Sequence, residues 1–158
     1  MKYLITGIGN PGEQYAHTRH NIGFDVLDAL AGASNISFQD RRYGFIAEMK
    51  YRSRILHLLK PSTYVNLSGR AVQYYLAKHK ISPEKCLVVV DDLALPFGTL
   101  RLRGKGGDSG HNGLASIINI LGTNQFPRLR FGIGNDYPPG MKVDYVLGKW
   151  DGDEKEQI

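Results

Sequence analysis

The sequence is poor in the features that mark disulfide-rich, membrane-spanning or repetitive proteins. One cysteine, Cys86, occurs in 158 residues, so no internal disulfide can form, which favours a reducing compartment. No apolar run approaches the roughly 20 residues that span a bilayer, and the glycine-rich segment from Gly7 begins too early for a signal-peptide core. There is no internal repeat or low-complexity tract. We therefore expect one domain over residues 1–158 of a cytoplasmic protein without membrane association.

Motifs for metal binding and for covalent catalysis are also missing. There is no Gly-x-Ser-x-Gly elbow, and Cys86 lies inside an apolar run typical of a buried strand, so no nucleophilic serine or cysteine is supported. The five histidines are scattered, and the loop that holds His17 and His20 supplies no third metal ligand. The sequence therefore predicts no zinc centre, and it does not decide between His17 and His20 as the chemically active histidine.

One glycine motif has to be weighed. Residues 7–12 match the G-x-G-x-x-G pattern of dinucleotide-binding proteins, which works by opening directly into a helix whose N-terminus faces the pyrophosphate. Here the first convincing helix starts only near Asn21, and no well-placed acid ends a second strand to hold a ribose. The context argues against a nicotinamide or flavin site.

The composition is that of an average globular protein with an excess of basic charge. Hydrophobic residues make up 42% and charged residues 22%, and the formal net charge is +5. The last eight residues contain four acids and one base, so the first 150 residues carry +8. This excess suggests a polyanionic partner, although charge alone does not establish one.

Strand-like and helix-like segments alternate along the chain. Residues 86–90 form a continuous apolar run that is typical of a central strand covered on both faces. Further strands are predicted at 2–6, 43–50, 54–60, 98–103 and 128–133, and helices at 21–30, 63–79 and 111–121. This alternation predicts an α/β sandwich with a mixed, mostly parallel central sheet flanked by helices.

Several polar side chains fall where these strands end or helices begin. Asp91 and Asp92 follow the central strand, where they could bind magnesium, orient a histidine or cap a turn. Asn10, Asn66 and Asn112 lie in loops or at helix starts. Capping is the ordinary role of such asparagines, but each also offers a donor and an acceptor for peptide or ribose groups.

Basic residues alternate on two predicted strands. Arg101 and Arg103 share one face, followed by Lys105, and Arg128 and Arg130 share another. Such stripes are either solvated charge or a track for phosphates.

Four segments, taken together and in order, resemble the bacterial-type peptidyl-tRNA hydrolase family. They are Gly7-Ile8-Gly9-Asn10-Pro11-Gly12 with Tyr15 and Thr18-Arg19-His20-Asn21; Pro61-Ser62-Thr63-Tyr64-Val65-Asn66-Leu67-Ser68-Gly69; Val90-Asp91-Asp92-Leu93 with Leu95-Pro96-Phe97-Gly98; and 106–114 with Gly110-His111-Asn112-Gly113-Leu114. Residues 128–134 and 146–149 extend the match to essentially the whole chain. Each piece is weak alone, but their order makes the resemblance specific.

The resemblance implies an enzyme that hydrolyses the ester between a peptide and the 3′-terminal ribose of tRNA, and so recycles tRNA after aborted translation (ribosome rescue). It implies no metal and no cofactor. By position His20 is then the general base and Asp91 its partner, and we expect these side chains within hydrogen-bonding reach. The implied substrate-binding and tRNA-binding residues are Tyr15, Tyr64, Asn66 and Asn112, with Asn10 distinguishing peptidyl from aminoacyl substrates and with Arg103 and Arg130 near the tRNA 5′-phosphate.

One departure from the family concerns the end of the sequence. The family continues past the Leu147-Gly148-Lys149 strand as a C-terminal helix, of which residues 154–158 resemble the first turn. We therefore expect a single domain, monomeric, that lacks this helix. The competing interpretation is a basic RNA-binding module that catalyses nothing; it uses the same arginines but leaves a His20 and Asp91 pair without a purpose.

Overall fold

A seven-stranded sheet forms the centre of the computed structural model, which describes residues 1–150 and Glu154. The strands are β1 (Lys2–Gly7), β2 (Gln39–Arg41), β3 (Gly44–Tyr51), β4 (Arg54–Pro61), β5 (Cys86–Asp92), β6 (Leu100–Arg103) and β7 (Arg128–Gly132). Their order across the sheet is β2-β3-β4-β1-β5-β7-β6. The four central strands β4, β1, β5 and β7 are parallel, while β2, β3 and β6 pair antiparallel at the edges. The predicted mixed sheet is confirmed.

Helices cover both faces of this sheet. They are α1 (Ile22–Ala33), α2 (Ser68–His79), α3 (Asn112–Leu121) and the short α4 (Lys142–Val146). Val88 and Val90 of β5 lie in the core cluster that contains residues of α2 and α3, whereas Val89 lies in the cluster with Leu27 and Ala31 of α1. Successive residues of β5 thus enter opposite cores, which is why this strand is a continuous apolar run. The predicted α/β sandwich is confirmed.

Some predicted boundaries are wrong. The helix expected from residue 63 starts at Ser68, after a 3-10 turn over Val65–Leu67, and Thr63 does not cap it. The strand expected at 147–149 does not form: α4 ends at Val146, and Lys149 makes only an isolated bridge to Thr18. Strand β2 and helix α4 were not predicted, because three exposed residues and five residues respectively are too short to show a periodic pattern.

The glycine motif at residues 7–12 serves the packing of α1 on the sheet. A Cβ at Gly7 would lie 2.2 Å from the Gly23 oxygen, and one at Gly23 would lie 2.5 Å from the Ile8 nitrogen, so the backbone of α1 packs directly against the end of β1. Helix α1 begins at Ile22, well after Gly12, as expected from the sequence. The geometry of a dinucleotide motif is therefore not formed.

The C-terminal expectation falls largely outside the described residues. Of residues 154–158, only Glu154 is described, and it is helical. The proposed first turn of a further helix therefore stays a prediction. Among the four helices of the described part of the chain, none has both the length and the apolar character needed to cross a membrane.

Candidate active site

His20 and Asp91 meet beside the carboxyl ends of the parallel strands. His20 lies in a 3-10 turn over Arg19–Asn21, directly before α1, and Asp91 is the second-last residue of β5. The His20 Nδ1 atom is 2.8 Å from Asp91 Oδ2, although the residues are 71 positions apart. The His20 side chain is 15% exposed and that of Asp91 is 3% exposed. The predicted approach of the two side chains is confirmed.

A second histidine, His111, shares the same carboxylate. Its Nε2 atom is 2.8 Å from Asp91 Oδ1, and its ring centroid is 5.0 Å from that of His20. His111 also occupies the N-cap position of α3, where Nδ1 accepts hydrogen bonds from the Gly113 and Leu114 N–H groups. The sequence analysis missed this residue, because histidine is not among the common N-cap types.

These contacts fix the proton positions on both rings. His111 Nδ1 accepts from backbone N–H groups, so its proton is on Nε2 and is donated to Asp91. His20 donates from Nδ1 to the other carboxylate oxygen, which leaves its Nε2 with a free lone pair. Asp91 is thus the common acceptor for two imidazole donors.

The electrostatics of Asp91 favour its charged form. Burial alone would raise the pKa of this carboxyl, but its electrostatic interactions and hydrogen bonds with His111 and His20 outweigh burial. The pKa of Asp91 is therefore held well below its usual value. An ionised carboxylate here can keep the His20 ring in one orientation and stabilise it when it takes up a proton.

Two side chains from other segments supply metal-ligand types beside His20, although its own loop supplies none. One ligand atom from each of His20, Asp91 and His111 lies within 4.8 Å of the others. The sequence did not show this group because its members come from three distant segments. A metal on His111 Nε2 would, however, require a proton on Nδ1, which faces two N–H donors. The donor set as arranged suits a shared proton network better than a metal ion.

The turn that carries His20 is held by its two neighbours. Arg19 is buried, donates to the Tyr145 carbonyl oxygen at 3.2 Å and to Glu154 at 3.1 Å, and stacks over the Tyr145 ring. Asn21, also buried, bonds to Asn10. The three consecutive residues therefore contact three different parts of the molecule.

A cleft of about 480 Å³ opens beside the histidines and the carboxylate. Arg130 lies in its wall, where Nη1 is 3.3 Å from Asp92 Oδ2 and 2.7 Å from Ser109 Oγ. Asp92 also accepts a hydrogen bond from the Ala94 N–H. The two acids therefore divide the roles that the sequence left open: Asp91 orients histidines, and Asp92 caps a turn and pairs with an arginine.

The three predicted asparagines surround this region, and none of them caps a helix. Asn112 is the first residue of α3 and lines both the cleft and a groove of about 510 Å³ between α2 and α3, which Asn66 also lines. Asn10 lines a separate groove near α1, and its Oδ1 accepts from the Val65 N–H at 2.8 Å. Asn66 and Asn112 are both exposed to solvent.

The two predicted tyrosines lie together. The rings of Tyr15 and Tyr64 meet edge to face with centroids 6.3 Å apart, and Tyr64 is half exposed. Val65, which binds Asn10, follows Tyr64 directly. The tyrosines therefore flank the Asn10 side of the site.

The arginines do not form one continuous track. Arg103 is exposed on β6, but its cross-strand partner Arg128 is fully buried and donates to the carbonyl oxygens of Gly107, Asn124 and Phe126. The expectation that Arg128 faces a phosphate is wrong, because this side chain holds the 104–107 loop and the 124–126 segment. Arg101, opposite Arg130, is exposed.

Cys86 is not a nucleophile in this fold. Burial raises the pKa of its thiol to about 12. A protonated, buried thiol is a poor nucleophile.

Comparisons with known proteins agree with this architecture. Residues 4–158 match the model of the peptidyl-tRNA hydrolase family. A peptidyl-tRNA hydrolase of Phocaeicola vulgatus is 65% identical over 148 residues, which are 94% of this chain and 79% of the relative. One from Cytophaga hutchinsonii is 52% identical over 158 residues, covering 100% and 84% of the two chains. The crystal structure of peptidyl-tRNA hydrolase from Acinetobacter baumannii superposes with a TM-score of 0.91 at 38% identity, covering 97% of this chain and 79% of that one.

The fold, the site and these relatives together define an enzyme of the hydrolase class. The chain belongs to the peptidyl-tRNA hydrolase family. The resemblance recognised in the sequence is thereby confirmed, while the roles of individual side chains stay predictions.

Proposed function

We propose that this protein hydrolyses the ester bond between a peptide and the 3′-terminal ribose of tRNA, with His20 as the general base. The observation that carries the proposal is the hydrogen bond from His20 Nδ1 to Asp91 Oδ2, 2.8 Å long, at the edge of an open cleft. It leaves Nε2 unprotonated on a side chain that lines the cleft. An imidazole in this state can take a proton from water.

The reaction needs one water molecule and no covalent intermediate. His20 Nε2 removes a proton as the water oxygen attacks the ester carbonyl, and Asp91 stabilises the resulting imidazolium. When the tetrahedral intermediate collapses, the bond from the carbonyl carbon to the ribose oxygen breaks, and His20 returns the proton to that oxygen. The products are a free ribose hydroxyl on tRNA and a peptide carboxylic acid, which loses its remaining proton to solvent.

His111 supports this chemistry through Asp91. Because each carboxylate oxygen accepts from one histidine, the Asp91 side chain cannot rotate without losing a buried charge-assisted hydrogen bond. His111 is itself fixed by the backbone of α3. The orientation of the His20 ring is therefore set by a chain of contacts that ends in a helix.

The remaining predicted residues fit substrate binding. In the proposal, Asn66 and Asn112 hold the ester carbonyl and the ribose with neutral donors, which suits a developing oxyanion. Tyr15 and Tyr64 flank the site, and Asn10 reads the peptide amide beside the ester. An amide carbonyl accepts a hydrogen bond that the free ammonium of an aminoacyl-tRNA cannot.

Binding of tRNA is proposed to be mainly electrostatic. An enzyme that serves every tRNA has to use phosphate and shape contacts rather than base readout. Arg103 is exposed and Arg130 lies in the cleft wall, and we assign both to the tRNA 5′-phosphate region. One chain supplies both His20 and Asp91, which supports a monomer, and the substrate supports a cytoplasmic location.

The proposal is tested by incubating peptidyl-tRNA with the protein in EDTA and measuring release of free tRNA. The wild type should release tRNA, and His20→Ala should lose about 10²- to 10⁴-fold in turnover, the usual contribution of a general base, while tRNA affinity is kept. His17→Ala is the matched control, because His17 also bonds to a carboxylate, that of Asp25, but is exposed outside the cleft. Near-normal turnover of a folded His20→Ala protein would refute the assignment, and a wild type that binds tRNA without releasing it would be a binding module.

A further inference from the structure

Asn21 occupies the N-cap position of α1 but does not cap it. An asparagine at this position normally accepts a hydrogen bond from the helix backbone with its side chain, and no such bond is formed here. Instead, Asn21 Oδ1 accepts from the Asn10 N–H and Asn21 Nδ2 donates to the Asn10 carbonyl oxygen, both at 2.9 Å. The residue is 1% exposed. Both ends of this buried amide are thus used on a residue eleven positions away.

The two bonds act as a clamp on the backbone of Asn10. They resemble a pair of strand hydrogen bonds, because the side-chain amide supplies one donor and one acceptor. A third bond, from the Val65 N–H to Asn10 Oδ1 at 2.8 Å, fixes the Asn10 side chain. The side-chain acceptor of Asn10, Oδ1, is therefore already used, and among the described residues no hydrogen bond occupies the side-chain donor Nδ2. The group that Asn10 can offer to a ligand is a donor.

The neighbouring residues are adapted to the clamp. A Cβ at Gly9 would lie 2.9 Å from Asn21 Cγ and 3.0 Å from Phe24 Cγ, so a side chain at position 9 would displace the Asn21 amide. Asn21 is also the last residue of the 3-10 turn that carries His20. The same short turn therefore fixes both the proposed base and the backbone of Asn10.

We propose that Asn21 is a positioning residue for substrate selection: it holds the Asn10 donor at a fixed place relative to His20, so that a peptide amide is read while its ester is attacked. This inference rests on the proposed function and deepens it. Asn21 touches neither the ester nor the water. It acts through Asn10 alone, and this separates it from a residue that only stabilises the loop.

The test is a double-mutant cycle on selectivity. kcat/KM is measured for an N-acetyl-aminoacyl-tRNA and for the matching free aminoacyl-tRNA with the wild type, Asn10→Ala, Asn21→Ala and the double variant. One hydrogen bond left unmade in a closed site is worth roughly a 10- to 100-fold change in rate, so Asn10→Ala should lower the preference for the blocked substrate by about that factor. Asn21→Ala should lower it by about 10-fold, and the double variant should match Asn10→Ala, since coupled residues are not additive.

Two further variants make the outcome decisive. Asn21→Ser removes the amide but keeps a hydroxyl that can make one hydrogen bond, so it should fall between the wild type and Asn21→Ala, and it serves if Asn21→Ala does not fold. Ala31→Gly weakens α1 far from Asn10 and should leave the substrate preference unchanged. The pH dependence of kcat/KM should be the same in the wild type and in Asn21→Ala, because this change adds no charge beside the His20 and Asp91 pair.

The failures are distinguishable. Equal losses on both substrates in Asn21→Ala, or losses that add in the double variant, would overturn the positioning role and leave the proposed function standing. A wild type that hydrolyses neither substrate, or that shows no preference, would overturn the proposed function and this inference with it.

Discussion

Two pairs of histidines lie in this fold, and they show what a carboxylate adds. Beside the carboxyl ends of the parallel strands, His20 and His111 both donate a hydrogen bond to the buried Asp91. Between β4 and α2, His57 and His79 stack face to face with centroids 3.8 Å apart and planes inclined by 13°. The nearest carboxylate to that stack, Glu48, is 3.7 Å from His57 Nδ1 and is 55% exposed. Only the first pair has a buried acceptor of its own.

Burial is the main cause of the lowered pKa values of the stacked pair, His57 and His79. The pKa of His57 is lowered, first by burial and then by Lys2, with Glu48 opposing them. The pKa of His79 is lowered by burial, by His57 and by Lys78 and Lys2, again opposed by Glu48. Buried His57 Nε2 has no hydrogen-bond partner. Burial by itself thus produces a neutral imidazole, but a fixed tautomer and a free base require the carboxylate.

The largest expected effect comes from removing the charge of each carboxylate without changing its shape. Asp91→Asn replaces a double acceptor by a group with one donor, which meets the N–H of His20 or His111. We expect kcat to fall by about 10²- to 10⁴-fold, the range that general-base catalysis supplies. Glu48→Gln, the same change beside the stacked pair, should leave kcat within experimental error. Comparable losses in both variants, measured with peptidyl-tRNA, would show that the two pairs are equivalent.

A smaller effect is expected from His111→Asn. Asparagine is a strong N-cap residue, so the stability of α3 should be preserved while the hydrogen bond to Asp91 Oδ1 is lost. The expected result is a fall in kcat of about 10-fold, corresponding to about 1.4 kcal/mol, at nearly unchanged Tm. An unchanged kcat together with a reduced Tm would instead assign His111 to the cap alone.

The arginines allow the same contrast between partnered and exposed groups. Arg103→Ala should reduce the salt dependence of tRNA binding by about 0.7–0.9 in the slope of log K against log salt, the contribution of one phosphate contact. Arg128→Ala should lower Tm, since the loop and the 124–126 segment lose their donor, while the slope stays the same in protein that remains folded. Fluorescence titrations over a range of salt concentrations measure both. A reduced slope in Arg128→Ala alone would reverse the assignment.

The stacked pair, His57 and His79, should affect the pH dependence of the free energy of unfolding rather than turnover. Because its folded pKa values are lowered, the unfolded chain takes up protons first as the pH falls below about 6.5, so acidification favours unfolding. The stabilisation present above that pH is lost progressively down to the folded pKa values. Urea unfolding at about pH 7 and about pH 5 should show a decrease for the wild type and a smaller decrease for the His57→Leu/His79→Leu variant. An equal decrease in both proteins would contradict this assignment.

The sequence predicted the contact between His20 and Asp91 better than the surroundings of that pair. Asp91 follows a clear apolar run, His20 directly precedes a segment with helical spacing of apolar residues, and the order of motifs suggested their roles. His111 was missed because its importance depends on a contact with Asp91 across 20 residues, which no local pattern reports. Arg128 was misjudged because alternation in a strand shows which residues share a face, but not whether a loop covers that face.

The predicted ends of helices and strands were wrong where a short turn or a tertiary contact sets the boundary. The segment from Thr63 has helical composition, yet the chain forms one 3-10 turn before α2. Strand β2 consists of three exposed polar residues, and it forms by antiparallel pairing with β3. Such elements are set by tertiary pairing, so propensity and periodicity give no sign of them.

The 3-10 turn of Arg19, His20 and Asn21 has a consequence for how this enzyme can change. Such a turn has about three residues per revolution, so its three side chains radiate in three directions: Arg19 toward Tyr145 and Glu154, His20 toward Asp91, and Asn21 toward Asn10. Inserting or deleting one residue would rotate every member onto its neighbour's target. The length of this turn is therefore as constrained as its composition. We expect active relatives to differ by substitutions within the turn, and by insertions or deletions only outside it.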